Sequence, residues 1–279
     1  MIIAQEITKL KLERKKLIGK KVVLVPTMGA LHEGHLALVK YAKEIADFVI
    51  VSIFVNKTQF NDLSDYEKYP RQEESDLDKL KNAGVDLVFL PKSQEIFADD
   101  FSFKIIPTKI TDCLCGSSRV GHFDGVALIV TKLFNLVQPN IAIFGQKDFQ
   151  QLTLIKRMVR DLNFDIEIFA HPTLREQNGL AMSSRNQRLS ESGKEKASNI
   201  FRVLTEIKNK IKNSEEKIDS LIEEKTQELI SLGFEKIDYL EVRNSEDLKL
   251  VTEFNNTEKA RIFVAAYLEG IRLIDNLEL

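Results

Sequence analysis

The 279-residue sequence has no run of about 18 uncharged apolar residues, the length that a helix needs to cross a bilayer. It also lacks an excess of one charge, since 40 Lys and Arg residues stand against 42 Asp and Glu residues, a formal net charge of −2. This balance argues against a general binder of nucleic acid or of anionic membranes. Residues 1–21 mix charged residues among their apolar positions and lack the apolar core of a signal peptide, so we expect a cytoplasmic protein.

Cysteine is scarce, because Cys113 and Cys115 are the only two in the chain. A structural zinc site normally takes about four ligands, and no second pair of cysteines or histidines lies close in sequence. A cytosolic disulfide across one intervening residue would be strained. We therefore interpret both as ordinary thiols. Whether the surrounding segment 113–119 borders a dimer contact or a functional site is left open by the sequence.

Apolar runs alternate with helix-length segments over the first two thirds of the chain, whose hydrophobic content of 43% is enough for a core. Apolar residues at positions 3, 7, 10 and 17 predict an N-terminal helix. Strands are predicted at 21–26, 48–55, 86–90, 141–144 and 165–169, and helices at 34–46, 72–83, 124–137 and 149–161. This alternation is typical of a doubly wound, Rossmann-like α/β fold with a parallel sheet between helices.

The last third of the chain follows a different pattern. Residues 190–232 are charged and helix-prone, and strand-like runs follow at 236–242, at 260–268 and in the final IRLIDNLEL. Helices followed by antiparallel-looking strands predict a smaller α+β domain. We expect one domain over residues 1–178 and the smaller C-terminal domain over residues 179–279.

The densest chemical signal is the string PTMGALHEGH, which follows the first long predicted strand. In a doubly wound sheet, ligands bind at the carboxyl ends of the strands. Gly29 and Gly34 permit close backbone approach, and the helix N-terminus offers N–H groups to a phosphate. His32 and His35, three residues apart, point the same way and can donate hydrogen bonds to charge developing on phosphorus. The alternative is a glycine-rich turn with two solvent-facing histidines, and we favour the functional interpretation.

Two amide side chains, Asn56 and Gln59, follow the next predicted strand. Amides carry both donors and acceptors, which suits recognition of hydroxyl and carboxylate groups. A simple capping loop explains these residues equally well, so both interpretations stay open.

Two further loops carry cations. Lys147, within GQKDFQQ, suits a polyphosphate, although Asp148 beside it also fits a plain helix cap. The string GLAMSSRN, residues 179–186, contains Arg185. Its hydroxyl and guanidinium groups can donate hydrogen bonds to an anion. The alternative is a serine-rich linker with one surface arginine. The sequence contains neither the dinucleotide-binding motif G-x-G-x-x-G nor the P-loop motif G-x-x-x-x-G-K-[ST]. A nucleotide would therefore be bound by a different kind of loop.

Six strings in order resemble the pantothenate synthetase (pantoate–β-alanine ligase) family, within the HxGH (HIGH-type) nucleotidyltransferase superfamily: PTMGALHEGH, VSIFVN with TQF, YPR, GHFDGVA, FGQKDFQQL and REQNGLAMSSRN. The tail ARIFVAAYLEGIRLIDN is also similar to this family. The resemblance therefore covers nearly the whole chain, and an ordered set of this kind is far more specific than one H-x-G-H.

The resemblance implies an AMP-forming carbon–nitrogen ligase of pantothenate and coenzyme A biosynthesis. The carboxylate of (R)-pantoate attacks the α-phosphate of ATP, giving pantoyl adenylate and pyrophosphate. The amine of β-alanine then attacks the acyl carbon and releases AMP and pantothenate. The family also implies ATP as co-substrate, Mg²⁺, a homodimer, no nucleic-acid or membrane partner, and a C-terminal domain that closes over the ATP and pantoate site.

Position by position, the resemblance makes His35 the proton donor and adds His32, Lys147, Ser183 and Arg185 as catalytic residues. Gln59 is implied to touch pantoate and β-alanine, and Gln151 and Asn56 to touch pantoate. Asp65 matches an acidic position near the metal and is the candidate Mg²⁺ contact. The implied ATP-binding residues are Met28, Gly29, Ala30, Leu31, His32, Glu33, Gly34, His35, Gly145, Gln146, Lys147, Asp148, Leu174, Met182, Ser183, Ser184 and Arg185.

The chain departs from the family pattern at Lys57, Gln146, Asn178 and Val120, where Pro, Glu, Asp and Pro are usual. These changes bear on turnover and substrate affinity more than on the reaction. Two rival hypotheses are a nucleotidyltransferase that stops at an activated product and a non-catalytic nucleotide sensor or RNA-binding relative. The amides at positions 56, 59 and 151 speak against the first, and the balanced charge speaks against the second.

Overall fold

The apolar runs of the sequence pair into two sheets in the computed structural model, which describes residues 1–213, 216–255 and 259–279. The strands are β1 (Ile2–Ala4), β2 (Val22–Thr27), β3 (Phe48–Ile53), β4 (Leu87–Phe89), β5 (Ile141–Gly145), β6 (Glu167–His171), β7 (Lys236–Asn244), β8 (Ala260–Leu268) and β9 (Ile271–Glu278). The helices are α1 (Ile7–Lys15), α2 (Glu33–Ile45), α3 (Leu63–Glu67), α4 (Glu73–Asn82), α5 (Ser93–Ile96), α6 (Leu114–Ser118), α7 (His122–Val137), α8 (Phe149–Asp161), α9 (Glu191–Ala197), α10 (Asn199–Lys212) and α11 (Ile218–Ser231).

The larger sheet is parallel, with strand order β1-β4-β3-β2-β5-β6. From β2 the chain proceeds outward to β3 and β4 on one side, and it later continues through β5 and β6 on the other. The order therefore reverses between β2 and β5, the switch point at which doubly wound sheets bind ligands. The predicted α/β fold is confirmed.

The centre of this sheet is buried because its strands are continuous apolar runs. Val22, Val23, Leu24 and Val25 of β2 are fully inaccessible to solvent, as expected for a strand covered on both faces. Helix α2 contributes the buried residues Leu38, Val39 and Ala42, whose spacing gives the helix one apolar face. The helix that follows β2 is thereby packed with its N-terminus near the strand's carboxyl end.

The N-terminus differs from the predicted single helix. Residues 2–4 form β1, which pairs in parallel with β4, and the helix begins only at Ile7. The backbone N–H of Ile2 donates to Asp86 O at 2.8 Å. The prediction placed residue 3 in the helix because helical spacing is visible in the sequence, whereas a three-residue edge strand is defined by its partner.

The smaller sheet is antiparallel, in the order β7-β8-β9, and confirms the predicted α+β character of the C-terminal part. Helix α10 buries Ile200, Val203, Leu204 and Ile207, a helical repeat that packs in the same apolar cluster as β8 residues such as Ile262. Positions 214 and 215, inside the range predicted to be helical, lie outside the described residues.

The chain divides into two compact units. The first comprises Met1–Thr108, Arg119–Gln146 and Gln151–Pro172, and the second comprises Lys109–Ser118, Lys147–Gln150 and Thr173–Leu279. The second unit thus takes in two short segments from the middle of the chain, which a single boundary at residue 178 does not represent. Within the described ranges, every helix falls short of the length and apolarity that a membrane span requires.

Candidate active site

The loop that carries the two histidines leaves β2 and is held by a buried carboxylate. Asp76 of α4 accepts hydrogen bonds from the backbone N–H of Ala30 at Oδ2 and of Leu31 at Oδ1, both at 2.7 Å. Lys79, one turn further along, donates from Nζ to Leu31 O at 2.7 Å. Gly29 has φ 79°, and a Cβ there would lie 3.0 Å from Asp76 Oδ2. The N–H groups of Ala30 and Leu31 therefore point at Asp76, so neither donates to a phosphate in this conformation.

His32 and His35 cap α2 reciprocally. His32 Nδ1 accepts from Gly34 N at 3.1 Å, and His35 Nδ1 accepts from His32 N at 3.3 Å. The ring centroids are 4.1 Å apart, so the two imidazoles lie together as their spacing predicts. A backbone N–H only donates, so each Nδ1 is an acceptor and the proton of each neutral ring lies on Nε2. The capping arrangement thus makes Nε2–H the donor of both histidines.

The two amides after β3 have different tasks. Asn56 is 1% exposed and caps the 3-10 helix Lys57–Gln59, accepting from Thr58 Oγ1 at 2.8 Å. Its Nδ2 donates to Gln59 Oε1 at 3.2 Å and to Gly125 O at 3.0 Å. The capping interpretation therefore holds for Asn56, whose amide hydrogens both have protein partners.

Gln59 in turn donates from Nε2 to Met28 Sδ at 2.8 Å. This contact joins the residue predicted to bind pantoate to the loop predicted to bind ATP.

Residues at and just before the start of α7 hold the backbone of Gln59, and the sequence did not predict this role. His122 Nδ1 donates to the Gln59 carbonyl at 2.7 Å, and Arg119 Nη2 donates to the same oxygen at 3.1 Å. A Cβ on Gly125 would lie 2.7 Å from Gln59 N and closer still to Thr58 O. In the sequence, GHFDGVA was recognisable only as one of the family motifs. The available signal was a glycine inside a helical pattern, which marks a close backbone approach.

The substitution at Lys57 is accommodated at the surface. Lys57 is exposed and is the first residue of the 3-10 helix, a position at which proline loses no intrahelical hydrogen bond. Its Nζ lies 6.0 Å from the centroid of the Tyr66 ring. The added cation is therefore directed toward α3.

In the second unit, a hairpin and the 3-10 helix that follows it carry five of the remaining predicted residues, which are Leu174, Met182, Ser183, Ser184 and Arg185. Met182 N donates to Leu174 O at 3.0 Å, and Arg175 bridges to Ala181. Directly after the hairpin, Ser183 Oγ accepts from Arg185 N at 3.3 Å and caps the 3-10 helix Ser184–Arg188. The hairpin and the 3-10 helix after it thus present Leu174, Met182, Ser183 and Arg185 on one short stretch of structure. Ser184 between them is 6% exposed.

The other predicted residues are placed as follows. Gly145 ends β5, next to β2 in the sheet, and Gln146 and Lys147 continue into a 3-10 helix that ends at the exposed Asp148. Gln151 is half-buried near the start of α8. Glu33 is the exposed first residue of α2, and Asp65 is half-buried on α3.

The metal prediction rests on a sparse donor set. Within residues 1–213, 216–255 and 259–279, no group of three or more His, Cys, Asp and Glu side chains could hold a metal ion. Mg²⁺ commonly takes one or two carboxylates together with substrate phosphates and water. An ion of this kind would use Asp65, the predicted Mg²⁺ contact, as a protein carboxylate beside the phosphates of ATP.

Both cysteines are free thiols buried in the second unit. Burial raises the pKa of the Cys113 thiol, which disfavours its reactive thiolate. Cys115 Sγ lies 3.1 Å from the Tyr239 hydroxyl. Gln150, which sequence reasoning passed over, donates from Nε2 to the carbonyls of Ile110 and Cys113 at 2.8 and 2.9 Å. The segment around the cysteines is therefore packed against its own unit.

A model of the family described as pantoate-beta-alanine ligase matches residues 2–278. The chain belongs to this family. A pantothenate synthetase of Psychrobacter sp. (strain PRwf-1) is 47% identical over 264 residues, which cover 93% of this chain and 92% of that protein. The crystal structure of pantothenate synthetase from Thermus thermophilus matches with a TM-score of 0.92 and 39% identity, covering 100% of this chain and 99% of that one.

A second pantoate-beta-alanine ligase, from Francisella tularensis, matches with a TM-score of 0.85 and 39% identity over 100% of this chain and 97% of that one. That crystal structure is described as complexed with beta-gamma ATP and beta-alanine. The family inferred from the six motifs is thus confirmed, and the chain is an enzyme of the ligase class. The two rival sequence hypotheses find no support in these matches.

Proposed function

We propose that this chain condenses (R)-pantoate with β-alanine at the expense of ATP, through a pantoyl adenylate, and releases AMP, pyrophosphate and pantothenate. The observation that carries the proposal is the family match over residues 2–278. Within this chain, Gln59 Nε2 lies 2.8 Å from Met28 Sδ. An amide suited to pantoate and β-alanine is thereby joined to the loop suited to ATP, and the reaction requires these substrates to be adjacent.

In the first step, the pantoate carboxylate attacks the α-phosphate. His35 and His32 donate from Nε2–H to phosphate oxygens, whose negative charge must be stabilised in the transition state. Asn56 orients pantoate through Gln59, because its own amide hydrogens are bonded to Gln59 Oε1 and Gly125 O. Gln151 contributes a second amide to pantoate.

The leaving pyrophosphate needs positive charge and donors. Lys147 supplies a mobile point charge, and Arg185 supplies a planar guanidinium that suits phosphate oxygens. Ser183 adds its hydroxyl, which as a cap already accepts from Arg185 N. Mg²⁺, held in part by Asp65, supplies neutralisation of the phosphate charge when bound.

In the second step, the amine of β-alanine attacks the acyl carbon of the adenylate. Gln59 orients this amine as well as pantoate. Because Gln59 is only 9% exposed, few water molecules can compete with the amine there.

We further propose that the enzyme is a cytoplasmic homodimer. Sedimentation at micromolar concentration tests the dimer, and a monomer at that concentration would refute it.

Release of pyrophosphate and of AMP from ATP tests the reaction. Both are measured with Mg²⁺ present and with pantoate and β-alanine added singly and together. We expect pyrophosphate with pantoate alone and sustained AMP release only with both substrates. Turnover without pantoate, or with an unrelated acceptor in place of β-alanine, would refute the proposed substrates.

A further inference from the structure

The backbone of Lys147 is held by a side chain from the far end of the sequence. Asn276 of β9, 3% exposed, donates from Nδ2 to Lys147 O at 2.8 Å. Both residues belong to the second unit, although they are 129 positions apart in sequence. Because the carbonyl is fixed, only the side chain of Lys147 remains to be ordered when a ligand binds.

Arg261 fixes the orientation of the Asn276 amide. Its Nη1 donates to Asn276 Oδ1 at 2.7 Å, and its guanidinium carbon lies 4.1 Å from the centroid of the Phe149 ring. A guanidinium has no acceptor, so Oδ1 must face Arg261 and Nδ2 must face the Lys147 carbonyl. Strand register places Phe263 opposite Asn276, and the Phe263 ring packs 5.9 Å from that of Phe149. Arg261 and the rings of Phe149 and Phe263 thus fix the position of the Asn276 side-chain amide.

The neighbouring residue of β9, Asp275, holds the hairpin that leads to Arg185. Its carboxylate accepts from Arg175 Nη1 at 2.5 Å and from Nη2 at 3.0 Å, and it is 4% exposed. Arg175 Nη1 also donates to Gly179 O at 3.1 Å, inside the hairpin. Asp275 is connected to Asn276 directly, since its Oδ1 accepts from Asn276 N at 2.8 Å.

We propose that Asp275 and Asn276 are positioning residues for the adenylation step. Adjacent on β9, they hold Lys147 through its carbonyl and the 175–185 hairpin through Arg175, and they keep the two cationic segments at a fixed separation. Preorganised charges stabilise a transition state without reorganising during the reaction, and a small misplacement costs a large factor in rate. The inference rests on the proposed function, in which Lys147 and Arg185 contact the phosphates of ATP. It also assigns a role to Asp275 and Asn276, the last two residues of the family motif IRLIDN.

Asn276→Asp removes the hydrogen bond to the Lys147 carbonyl, and it also places a carboxylate beside Arg261. Aspartate keeps the size of asparagine and still accepts from Arg261, but it cannot donate to the Lys147 carbonyl. We expect the rate of pyrophosphate formation with pantoate to fall about tenfold or more, with the KM for pantoate changed less than about twofold. Glu278→Gln is the matched control: Glu278 is an exposed partner of the same Arg261, and its replacement leaves Asn276 in place. We expect near wild-type rates for the control.

A double-mutant cycle separates positioning from a general structural effect. In the Lys147→Ala background, we expect Asn276→Asp to cause little further loss, because the side chain that it positions is gone. An equal loss in both backgrounds, or a wild-type rate for Asn276→Asp, would overturn the inference while leaving the role of Lys147 intact. A wild-type rate for Lys147→Ala itself would refute both the proposed function of Lys147 and the inference.

The second arm of the proposal has its own cycle. Asp275→Asn removes the charge that pairs with Arg175, and we expect pyrophosphate formation to fall with little additional loss in the Arg185→Ala background. Thermal unfolding is recorded for each variant, because breaking a buried ion pair also destabilises the fold. Full activity of folded Asp275→Asn would remove Asp275 from the proposal, and additivity with Arg185→Ala would do the same.

Discussion

Asp76 accepts a 2.7 Å hydrogen bond from the backbone N–H of Ala30, which lies 46 positions earlier in the sequence. The acceptor is 1% exposed, and Ala30 has the uncommon φ of 50°. A carboxylate on α4 therefore shapes the loop that presents His32 and His35. The geometry of the candidate site depends on this contact as well as on the motif itself.

Asp76→Asn should disturb this loop. Asparagine has one acceptor oxygen and would turn an NH₂ group toward a backbone N–H, leaving one buried donor unsatisfied. We expect the free energy of unfolding to fall by about 1–3 kcal/mol and pyrophosphate formation to slow. Asp78→Asn, on the exposed side of the same helix, is the control. Urea unfolding and initial rates would contradict us if the two variants behaved alike.

His35 combines capping with proposed catalysis, and two substitutions separate these roles. Gln at this third helical position can still accept from the backbone N–H of His32, as in a standard capping box, whereas Ala cannot. We expect His35→Gln to keep nearly native stability and His35→Ala to lose about 1 kcal/mol. His35→Ala should lower pyrophosphate formation about 10²-fold through loss of the imidazole Nε2–H donor, whereas His35→Gln, whose amide nitrogen still donates, should keep more of the rate. Single-turnover kinetics test this, and a wild-type rate for folded His35→Ala would exclude the donor role.

Gly125→Ala should act on pantoate through Gln59. Alanine gains about 1 kcal/mol in helix propensity over glycine. Its Cβ would however lie 2.7 Å from Gln59 N, and overpacking against a backbone costs about 1–3 kcal/mol. We expect a raised KM for pantoate and a net loss of stability. Asn135→Ala, on the exposed face of the same helix, should leave both unchanged. Steady-state kinetics with varied pantoate decide the matter.

Acid should weaken the contact between α10 and α11. Hydrogen bonds from Lys225 Nζ, at 2.6 Å to Glu206 and 2.7 Å to Glu228, lower the pKa of both carboxyls. The resulting stabilisation is fully present above the ordinary glutamate pKa of about 4.3 and is lost as the pH falls through the lowered native values.

Lys225→Met should therefore lose less stability than the wild type between pH 7 and about pH 3.5, because its carboxyls titrate nearer their unfolded values. Urea unfolding at both pH values measures the difference. Lys249→Met, which removes an exposed lysine beside Asp247, serves as the control and should behave like the wild type. An identical acid dependence in the Lys225→Met protein would refute the assignment.

Much of the fold was predictable because its signals are local. β2, β3 and β5 are continuous apolar runs, and α2 and α10 show helical periodicity, so each is recognisable within one stretch of sequence. The edge strand β1 was not predictable, since three residues carry no period of their own. Asp76 was missed for a similar reason: an acidic residue in the first turn of a helix normally indicates a solvated face.

The sequence by itself determined the family, the parallel sheet, the pairing of His32 with His35 and the motifs that name the chemistry. Only the tertiary structure decided what holds those motifs in place. Asp76 accepts from the backbone of the histidine loop, Gly125 packs against the backbone of Gln59, and Asn276 donates to the carbonyl of Lys147. Each of these contacts joins segments far apart in the chain, and hydrogen bonds between them depend on ångström-scale geometry. Local periodicity sets which elements form, whereas their packing sets which side chains meet.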